Sequence, residues 1–181
     1  MHKHSRANMD IIYRACRSCD LKELEWFGMF YNHRSIIQDS FKRHKLGTNY
    51  MIVAEANSFP IAQVWIDLEK KKHENTGVIW ALRVLQPFQR LGIGTDLIRI
   101  SEDYLRRKKY SFSEINVEKD NLQARRLYER LGYIPVGQET EEYSFVTPDR
   151  IVINGKSVNW ILQKPLELRL KKEVNNSAVQ V

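Results

Sequence analysis

The segment Gln89-Arg90-Leu91-Gly92-Ile93-Gly94-Thr95 has the residues expected of an anion-binding turn. It follows an apolar, strand-like run from Val78 to Val84, and a helical pattern starts at Thr95. Because glycine lacks a Cβ atom, its backbone can approach a ligand closely, and a helix N-terminus offers unpaired N–H groups and a positive dipole end. The segment therefore predicts a phosphate-binding loop between a strand and a helix.

Two common nucleotide-binding motifs do not fit this segment. A Walker loop has four residues between its glycines and a Lys before Ser or Thr, whereas Gly92 and Gly94 are separated by Ile93 alone and no Lys precedes Thr95. A dinucleotide fingerprint has a third glycine three residues after the second, and that position is Leu97. Taken alone, the segment leaves a structural turn without a ligand open.

A second segment, from Asn121 to Tyr133, has the sequence NLQARRLYERLGY. It fits the pattern N-x-x-A-x-x-L/F-Y-x-x-x-G-F/Y at Asn121, Ala124, Leu127, Tyr128, Gly132 and Tyr133. The glycine segment fits Q/R-x-x-G-x-G/A. In this order, with a strand between them, the two motifs resemble the paired signature of the GNAT superfamily of acyl-CoA-dependent N-acyltransferases. The resemblance extends from about Ile11 to Leu166.

The resemblance implies a mixed α/β (α+β) fold. Its central sheet would have six to seven strands, mainly antiparallel, with a parallel pair at a V-shaped cofactor cleft and about four flanking helices. A strand at residues 112–117 follows a crossover helix, so it should lie parallel to the strand before the glycine segment. We expect one domain over residues 11–168, between a flexible arm at 1–10 and a disordered tail at 169–181.

Acetyl-CoA as the cosubstrate, and no metal, are further implications of the resemblance. Pantetheine would pair with the main chain of Leu82, Arg83 and Val84, which would also stabilise the acetyl carbonyl oxygen. Asn121 would cap its helix and also bond the pantetheine arm. The pyrophosphate would bind the N–H groups of Gln89, Arg90, Leu91, Gly92, Ile93, Gly94 and Thr95.

Tyr128 matches the residue that serves as the general acid in this family. A phenol with a pKa near ~10 stays protonated at neutral pH and can protonate a thiolate whose conjugate acid has a pKa near ~8.5. The alternative interpretation is that the Tyr128 ring only packs its helix against the sheet.

The general base is less clear. Some GNAT enzymes use a Glu in the strand before the second motif, but the matching position is Asn116, and asparagine cannot accept the proton. Asp67, Glu118, Glu142 or a chain of water molecules could replace it. Nothing in the pattern favours a histidine, whether His33, His44 or His73.

The acceptor pocket is expected between the first strand and the second. By resemblance, its contacts are Trp26, Phe30, Tyr31 and His33, and Asp67 and Glu142 are further candidate substrate contacts. The acidic residues after the second motif could attract a cationic amine or be solvated strand residues: Glu139, Glu141 and Glu142. Core packing is the competing interpretation for Trp26 and Phe30. The leading hypothesis is direct acetyl transfer to a primary amine of a small molecule, a metabolite or an antibiotic. A protein N-terminus or lysine is the second, and a sensor that binds acyl-CoA without turnover is the third.

The composition bears on the number of domains and on nucleic acid or a membrane as a partner. With 181 residues, 43% of them hydrophobic, the chain is expected to form one domain. Its formal net charge of +7 allows contact with polyanions, yet no nucleic-acid motif accompanies the charge, so nucleic acid is not expected as a partner. No apolar run approaches the ~20 residues that span a bilayer, and we expect a cytoplasmic protein without a membrane partner. A homodimer is a further possibility.

The pair Cys16 and Cys19 is interpreted as packing rather than a redox or zinc site.

Periodicity predicts the elements that position these residues. Asp20 would cap a helix with the apolar stripe Leu21, Leu24, Phe27 and Met29/Phe30, and a second helix would end near Gly47. Helices at 95–108 and 121–132 follow. Strands are expected at 11–15, 50–55, 61–68, 78–84, 112–117, 134–137, 142–146 and 151–153. Asn154-Gly155 predicts a hairpin turn before a strand at 158–163.

Overall fold

The computed structural model describes residues 9–167. Within them the strands are β1 (Ile12–Ala15), β2 (Asn49–Ala56), β3 (Phe59–Lys71), β4 (Thr76–Val84), β5 (Phe112–Glu118), β6 (Ile134–Val146) and β7 (Val152–Pro165). The α-helices are α1 (Asp20–Glu23), α2 (Arg34–Leu46), α3 (Ile93–Arg107) and α4 (Leu122–Arg130). The predicted disordered tail and most of the predicted arm, at residues 169–181 and 1–8, lie outside the described residues.

The strands form one seven-stranded sheet in the order β1-β2-β3-β4-β5-β7-β6. The neighbours β4 and β5 are parallel, and the other neighbouring strands pair antiparallel. The mixed fold, with its single parallel pair and four helices, is therefore confirmed. No helix within residues 9–167 combines the length and the apolarity that crossing a bilayer requires.

Helices cover both faces of the sheet. On one face, Leu97 and Leu105 of α3 and Tyr128 of α4 join the larger core cluster. On the other face, Leu24 and Ile37, from the α1–α2 region, pack with sheet residues in a smaller cluster. This two-sided burial explains why β2 and the middle of β3 are continuous buried runs rather than alternating patterns.

A bulge in β4 lies just beyond the residues at which its pairing with β5 ends. Gln63 pairs with Arg83 and Trp65 with Trp80, so β4 contains one residue more than β3 between these pairs. Ala81 lies inside the bulge with a φ of 52°. Pairing with β5 stops at Ile79↔Ile115, although β4 continues to Val84 and β5 to Glu118. Beyond these residues the parallel pair opens into the V-shaped gap that the resemblance implied.

The length predicted for the first helix was wrong. Helix α1 ends at Glu23, and Cys19 rather than Asp20 occupies its N-cap. Trp26 and Phe27 adopt φ values of 41° and 58°, which turn the chain out of a helical path. The indole N–H of Trp26 donates to the carbonyl of Pro60 at 2.8 Å, so a tertiary contact holds this turn. Phe27 is consequently 87% exposed instead of joining an apolar stripe.

The predicted hairpin at Asn154-Gly155 was also wrong. The turn lies between β6 and β7, where the N–H of Ile151 bonds the Thr147 hydroxyl at 3.1 Å. Asn154 and Gly155 lie inside β7, paired with Ser144 and Tyr143 of β6. A Cβ atom at Gly155 would collide with the ring of Tyr143, so this glycine makes room for a cross-strand aromatic side chain. The short strands predicted at 134–137, 142–146 and 151–153 merge into these two long strands.

Cys16 and Cys19 lie at the start of α1. Cys16 is buried, Cys19 is exposed, and both thiols are free. Burial raises the pKa of Cys16 to about 12, which disfavours the thiolate that redox or metal chemistry requires.

Candidate active site

Two cavities meet at the open end of β4. The glycine-loop cleft, of about 540 Å³, lies between α3 and α4, and the α2-face cavity, of about 840 Å³, lies on the opposite face of the sheet. Leu82 and Val84 line the first, whereas Trp80, Ala81 and Arg83 line the second. The alternation of side chains along a strand thus lets one segment form a wall of both cavities.

The glycine loop presents unpaired N–H groups to the first cavity. Gly92 is the N-cap of α3 with a φ of 87°, a left-handed conformation that glycine adopts without strain. The first bond into the helix runs from the N–H of Asp96 to the carbonyl of Gly92 at 3.1 Å. In the described chain, the N–H groups of residues 93–95 have no backbone acceptor. The loop can therefore bind an anion through its main chain.

Several side chains shape the same cleft. Gln89 donates from Nε2 to the carbonyl of Val84 at 2.9 Å and ties the loop to the end of β4. Arg90 and Arg130 line the cleft and bring positive charge to it. The side chain of Asn121 accepts a bond from the N–H of Ala124 at 3.1 Å, as a helix N-cap does. The predicted residues Leu82, Val84, Gln89, Arg90, Gly92, Gly94, Thr95 and Asn121 all line this cleft.

Three predicted cofactor residues lie elsewhere. The side chain of Arg83 lines the α2-face cavity, Ile93 is buried in the core, and Leu91 is exposed at 60%. These residues were predicted to bind the cofactor through their main-chain atoms. The direction of a side chain does not test that prediction.

Tyr128 lies on α4 with only 7% of its surface exposed. Burial raises the pKa of its phenol to about 12, so the hydroxyl stays protonated at neutral pH. This hydroxyl makes no hydrogen bond to any described residue, whereas the hydroxyl of the neighbouring Tyr133 bonds Ser113 at 2.7 Å. Tyr128 belongs to the larger core cluster and is not among the residues that line either cavity, so its role as the acid stays a prediction.

The α2-face cavity contains Asn116 at the position where the family glutamate was expected. Asn116 Nδ2 donates to the carboxylate of Glu139, while Asn116 Oδ1 is buried without a partner in the described chain. Glu118, two residues along β5, also lines the cavity and forms no ion pair with a described residue.

Asp67 and His33 line the α2-face cavity too, but their environments differ. Burial pushes the pKa of Asp67 upward, yet the N–H groups of Lys70 and Glu69 and the guanidinium of Arg43 outweigh it and hold the pKa below its usual value. Asp67 is therefore a weak proton acceptor. His33 stacks on Phe145 at 5.2 Å, and burial together with the charge of Arg83 lowers its pKa.

The other predicted acceptor residues do not line the cavity. Trp26 is 2% exposed and belongs to the protein interior, and Phe30 packs against it at 5.4 Å. Tyr31 reaches Asp149 at 3.4 Å near the surface. Glu142 points away from the cavity and lies 3.6 Å from Lys156.

Some site residues were missed by the sequence analysis. Gln123 and Arg130 line the glycine-loop cleft, and with Leu127 they share one face of α4 at the spacing i, i+4, i+7. That spacing could have identified them. Ser157 and Asn159 of β7 line the α2-face cavity. No local pattern could have placed them there, because their position depends on pairing between distant strands.

Comparison with known proteins places this geometry in a family. Residues 14–133 match the acetyltransferase (GNAT) family. A search among curated proteins finds no match to the sequence. The fold is similar to that of the ribosomal-protein-S18-alanine N-acetyltransferase from Escherichia coli, with 16% identity, 90% of this chain and 98% of that chain covered, and a TM-score of 0.65.

Two further solved structures share the fold. For yncA from Salmonella typhimurium, solved with its cofactor acetyl-CoA, the identity is 17%, the coverage is 89% of this chain and 95% of that chain, and the TM-score is 0.66. For Ard1 from Thermoplasma volcanium the identity is 15%, the coverage is 87% of this chain and 98% of that chain, and the TM-score is 0.67. The family match includes β4, the glycine loop and α4, and it covers more than half of the 181 residues. The chain therefore belongs to the GNAT family of acetyltransferases, which transfer the acetyl group of acetyl-CoA.

Proposed function

We propose that the protein transfers the acetyl group of acetyl-CoA to a primary amine of a small molecule, by direct attack in a ternary complex. The observation that carries this proposal is that the two cavities share the open end of β4 as a wall. A thioester bound in the glycine-loop cleft would present its carbonyl at the same strand end that borders the α2-face cavity. The amine would then attack from the other side.

The glycine-loop cleft fits the diphosphate of acetyl-CoA. The N–H groups of residues 93–95 are free of backbone acceptors in the described chain. Apart from the adjoining backbone, no described atom lies within 4 Å of the position that a Cβ of Gly92 would occupy. Arg90 and Arg130 add charge that complements phosphate. Beyond Ile79, β4 has no ladder partner in β5, so its free edge can pair with pantetheine and stabilise the carbonyl oxygen.

Tyr128 is the proposed hydrogen-bond donor to the departing thiolate. Its hydroxyl lacks a partner among the described residues, and its raised pKa of about 12 keeps it protonated. Because a phenol of this pKa gives up its proton reluctantly, we expect it to act mainly as a hydrogen-bond donor to the sulfur.

Glu118 is the proposed proton acceptor for the amine. Of the three carboxylates considered from the sequence, Glu142 lies outside the α2-face cavity and Asp67 is held by Arg43 and two N–H groups. Glu118 lines the cavity without an ion pair to a described residue. Its carboxylate can take the proton either directly or through water.

A small acceptor is favoured by the way the α2-face cavity is bridged. The hydroxyl of Ser35 at the start of α2 donates to the carbonyl of Val146 at the end of β6, at 3.1 Å. The stacking of His33 on Phe145 adds a second contact between the same elements. These contacts connect two walls of the cavity and restrict access for a folded polypeptide.

The test is release of coenzyme A thiol with a panel of small primary amines and of peptides with free N-termini or lysines. Turnover with small amines supports the proposal, and turnover with peptides alone would replace it with a protein acetyltransferase. The replacement of the family glutamate by Asn116 favours one other function, an acyl-CoA-binding sensor. Uptake of acetyl-CoA in calorimetry without thiol release for any amine would support that function instead.

A further inference from the structure

Arg83 extends its side chain away from the glycine-loop cleft and into the α2-face cavity. Its neighbours Leu82 and Val84 line the other cavity, as strand alternation requires. The Arg83 side chain is partly buried, and it forms no ion pair and no hydrogen bond with any residue between 9 and 167. Its guanidinium remains charged near neutral pH, because arginine side chains are not deprotonated in proteins.

This lack of a partner sets Arg83 apart from similar arginines in the described chain. Apart from Arg83, the half-buried arginines of residues 9–167 all pair with a carboxylate, and the unpaired arginines are exposed; the paired ones are Arg14, Arg34, Arg43, Arg106 and Arg125. Withdrawing a guanidinium partly from water without such a partner costs free energy, and a cation–π contact contributes less than a buried carboxylate partner would. The arrangement is what a ligand-binding charge requires, because the missing partner arrives with the ligand.

Aromatic side chains hold the guanidinium in place. It lies over the ring of Phe30 at 4.4 Å from the centroid, and Phe30 packs edge-on against Trp26 at 5.4 Å and His33 at 5.7 Å. Trp26 is in turn anchored by its bond to the carbonyl of Pro60. With one face of the guanidinium against a ring, its N–H edges remain available, and these edges match the two oxygens of a carboxylate.

Negative charge occupies other parts of the same cavity. Glu118 and Glu141 line it, and neither forms an ion pair within the described residues. Asp67 is already paired with Arg43 at 2.8 Å. Within the described residues, the α2-face cavity thus offers two unpaired cations, the partly buried Arg83 and the exposed Lys70, and two unpaired carboxylates, which complements a molecule that carries both an amine and an anionic group.

We propose that the acceptor is an amine that also carries a carboxylate, such as an α-amino acid, and that Arg83 binds this carboxylate. Arg83 would then be a specificity-determining residue that orients the amine toward the open end of β4. This inference rests on the proposed acetyltransferase function. Burial lowers the pKa of Arg83, as it does for a charge whose partner is not yet present.

The test compares α-amino acids with their carboxamides and with the corresponding decarboxylated amines as acetyl acceptors. For the wild-type protein we expect kcat/KM to be about 10- to 100-fold higher for the acids, the size of one charge-assisted bidentate contact. Arg83→Met should abolish this preference by lowering kcat/KM for the acids alone. Arg99→Met is the matched control, because it removes an exposed arginine of α3 that lines neither cavity and should keep the preference.

Arg83→Lys keeps the charge but loses the planar pair of donors, and it should retain only part of the preference. Calorimetry with acetyl-CoA establishes that each variant is folded and separates two failures. If the wild type binds acetyl-CoA and acetylates amides and decarboxylated amines as well as it does the acids, the inference is wrong and the acetyltransferase function stands. If the wild type does not bind acetyl-CoA, the proposed function fails and the inference falls with it.

Discussion

The glycine-loop cleft and the α2-face cavity meet at β4 but are built in different ways. The cleft takes most of its binding groups from one stretch of chain, residues 82–95, and one helix, α4, and many of these groups are main-chain N–H. The cavity draws on β3, β4, β5, β6, β7 and the α2 region, and its polar groups are side chains. Main-chain groups suit a partner that is the same throughout a family, whereas side chains can vary with the acceptor.

The largest effect is expected at Tyr128, the proposed donor to the leaving thiolate. Tyr128→Phe should lower kcat by ~10- to 1000-fold with little change in acetyl-CoA affinity, because the hydroxyl is needed only when the thiolate departs. Tyr104→Phe is a control that also removes a hydroxyl without a hydrogen bond in the described chain, from a ring stacked on Tyr50. An unchanged rate for Tyr128→Phe would remove Tyr128 from the mechanism.

A second prediction concerns the main-chain character of the cleft. Gly92→Val should weaken acetyl-CoA binding by about 10-fold or more, since a branched residue is strained at a φ of 87° and shields the loop. Gly47→Val places the same residue at a φ of 77° at the end of α2, far from the cleft. Both variants should lose stability, and calorimetry should show weakened binding in the first alone. Equal affinities would contradict the assignment of the loop.

A third prediction tests the side-chain character of the cavity. Glu118→Gln should lower kcat about 10-fold at pH values where the acceptor amine is protonated, and the difference should vanish at higher pH because the amine is then already neutral. Glu142→Gln removes a carboxylate outside the cavity and should leave the pH profile unchanged. If Glu142→Gln changed the pH profile and Glu118→Gln left it unchanged, Glu142 rather than Glu118 would be the base.

The smallest effect on activity is expected at Asp67, which lines the cavity but is held by an ion pair with Arg43 and by two backbone N–H groups. The folded pKa is below the usual value, so Asp67 stabilises the fold above its unfolded pKa of ~3.9 and loses this effect as pH falls through the folded pKa. Asp67→Asn should therefore cost about 1 kcal/mol of stability at pH 7, measured by denaturant unfolding, and less as the pH falls below ~4. Its kcat should stay near that of the wild type. A large loss of kcat would make Asp67 part of the chemistry.

Local features of the sequence predicted the elements that carry the cofactor motifs. The helix after the glycine segment, the cap at Asn121 and the strand that became β5 all lie close to where the pattern placed them. Each depends on short-range physics: a glycine turn, a side chain that bonds an N–H three residues on, and an apolar run that follows a crossover helix. The predictions for helix α1 and for the Asn154-Gly155 turn failed where distant contacts outweighed local preference.

The sequence by itself determined the family, the mixed sheet and the loop that faces the cofactor, because these follow from backbone conformations that a few neighbouring residues impose. Only the tertiary structure decided where the side chains of the acceptor cavity point. The bulge at Ala81 changes the register of β4, and the pairing of β5, β7 and β6 brings Glu118, Asn159 and Glu141 to one wall. Strand register depends on contacts between residues far apart in the chain, so no local pattern could have identified Arg83 as an unpaired charge in that cavity.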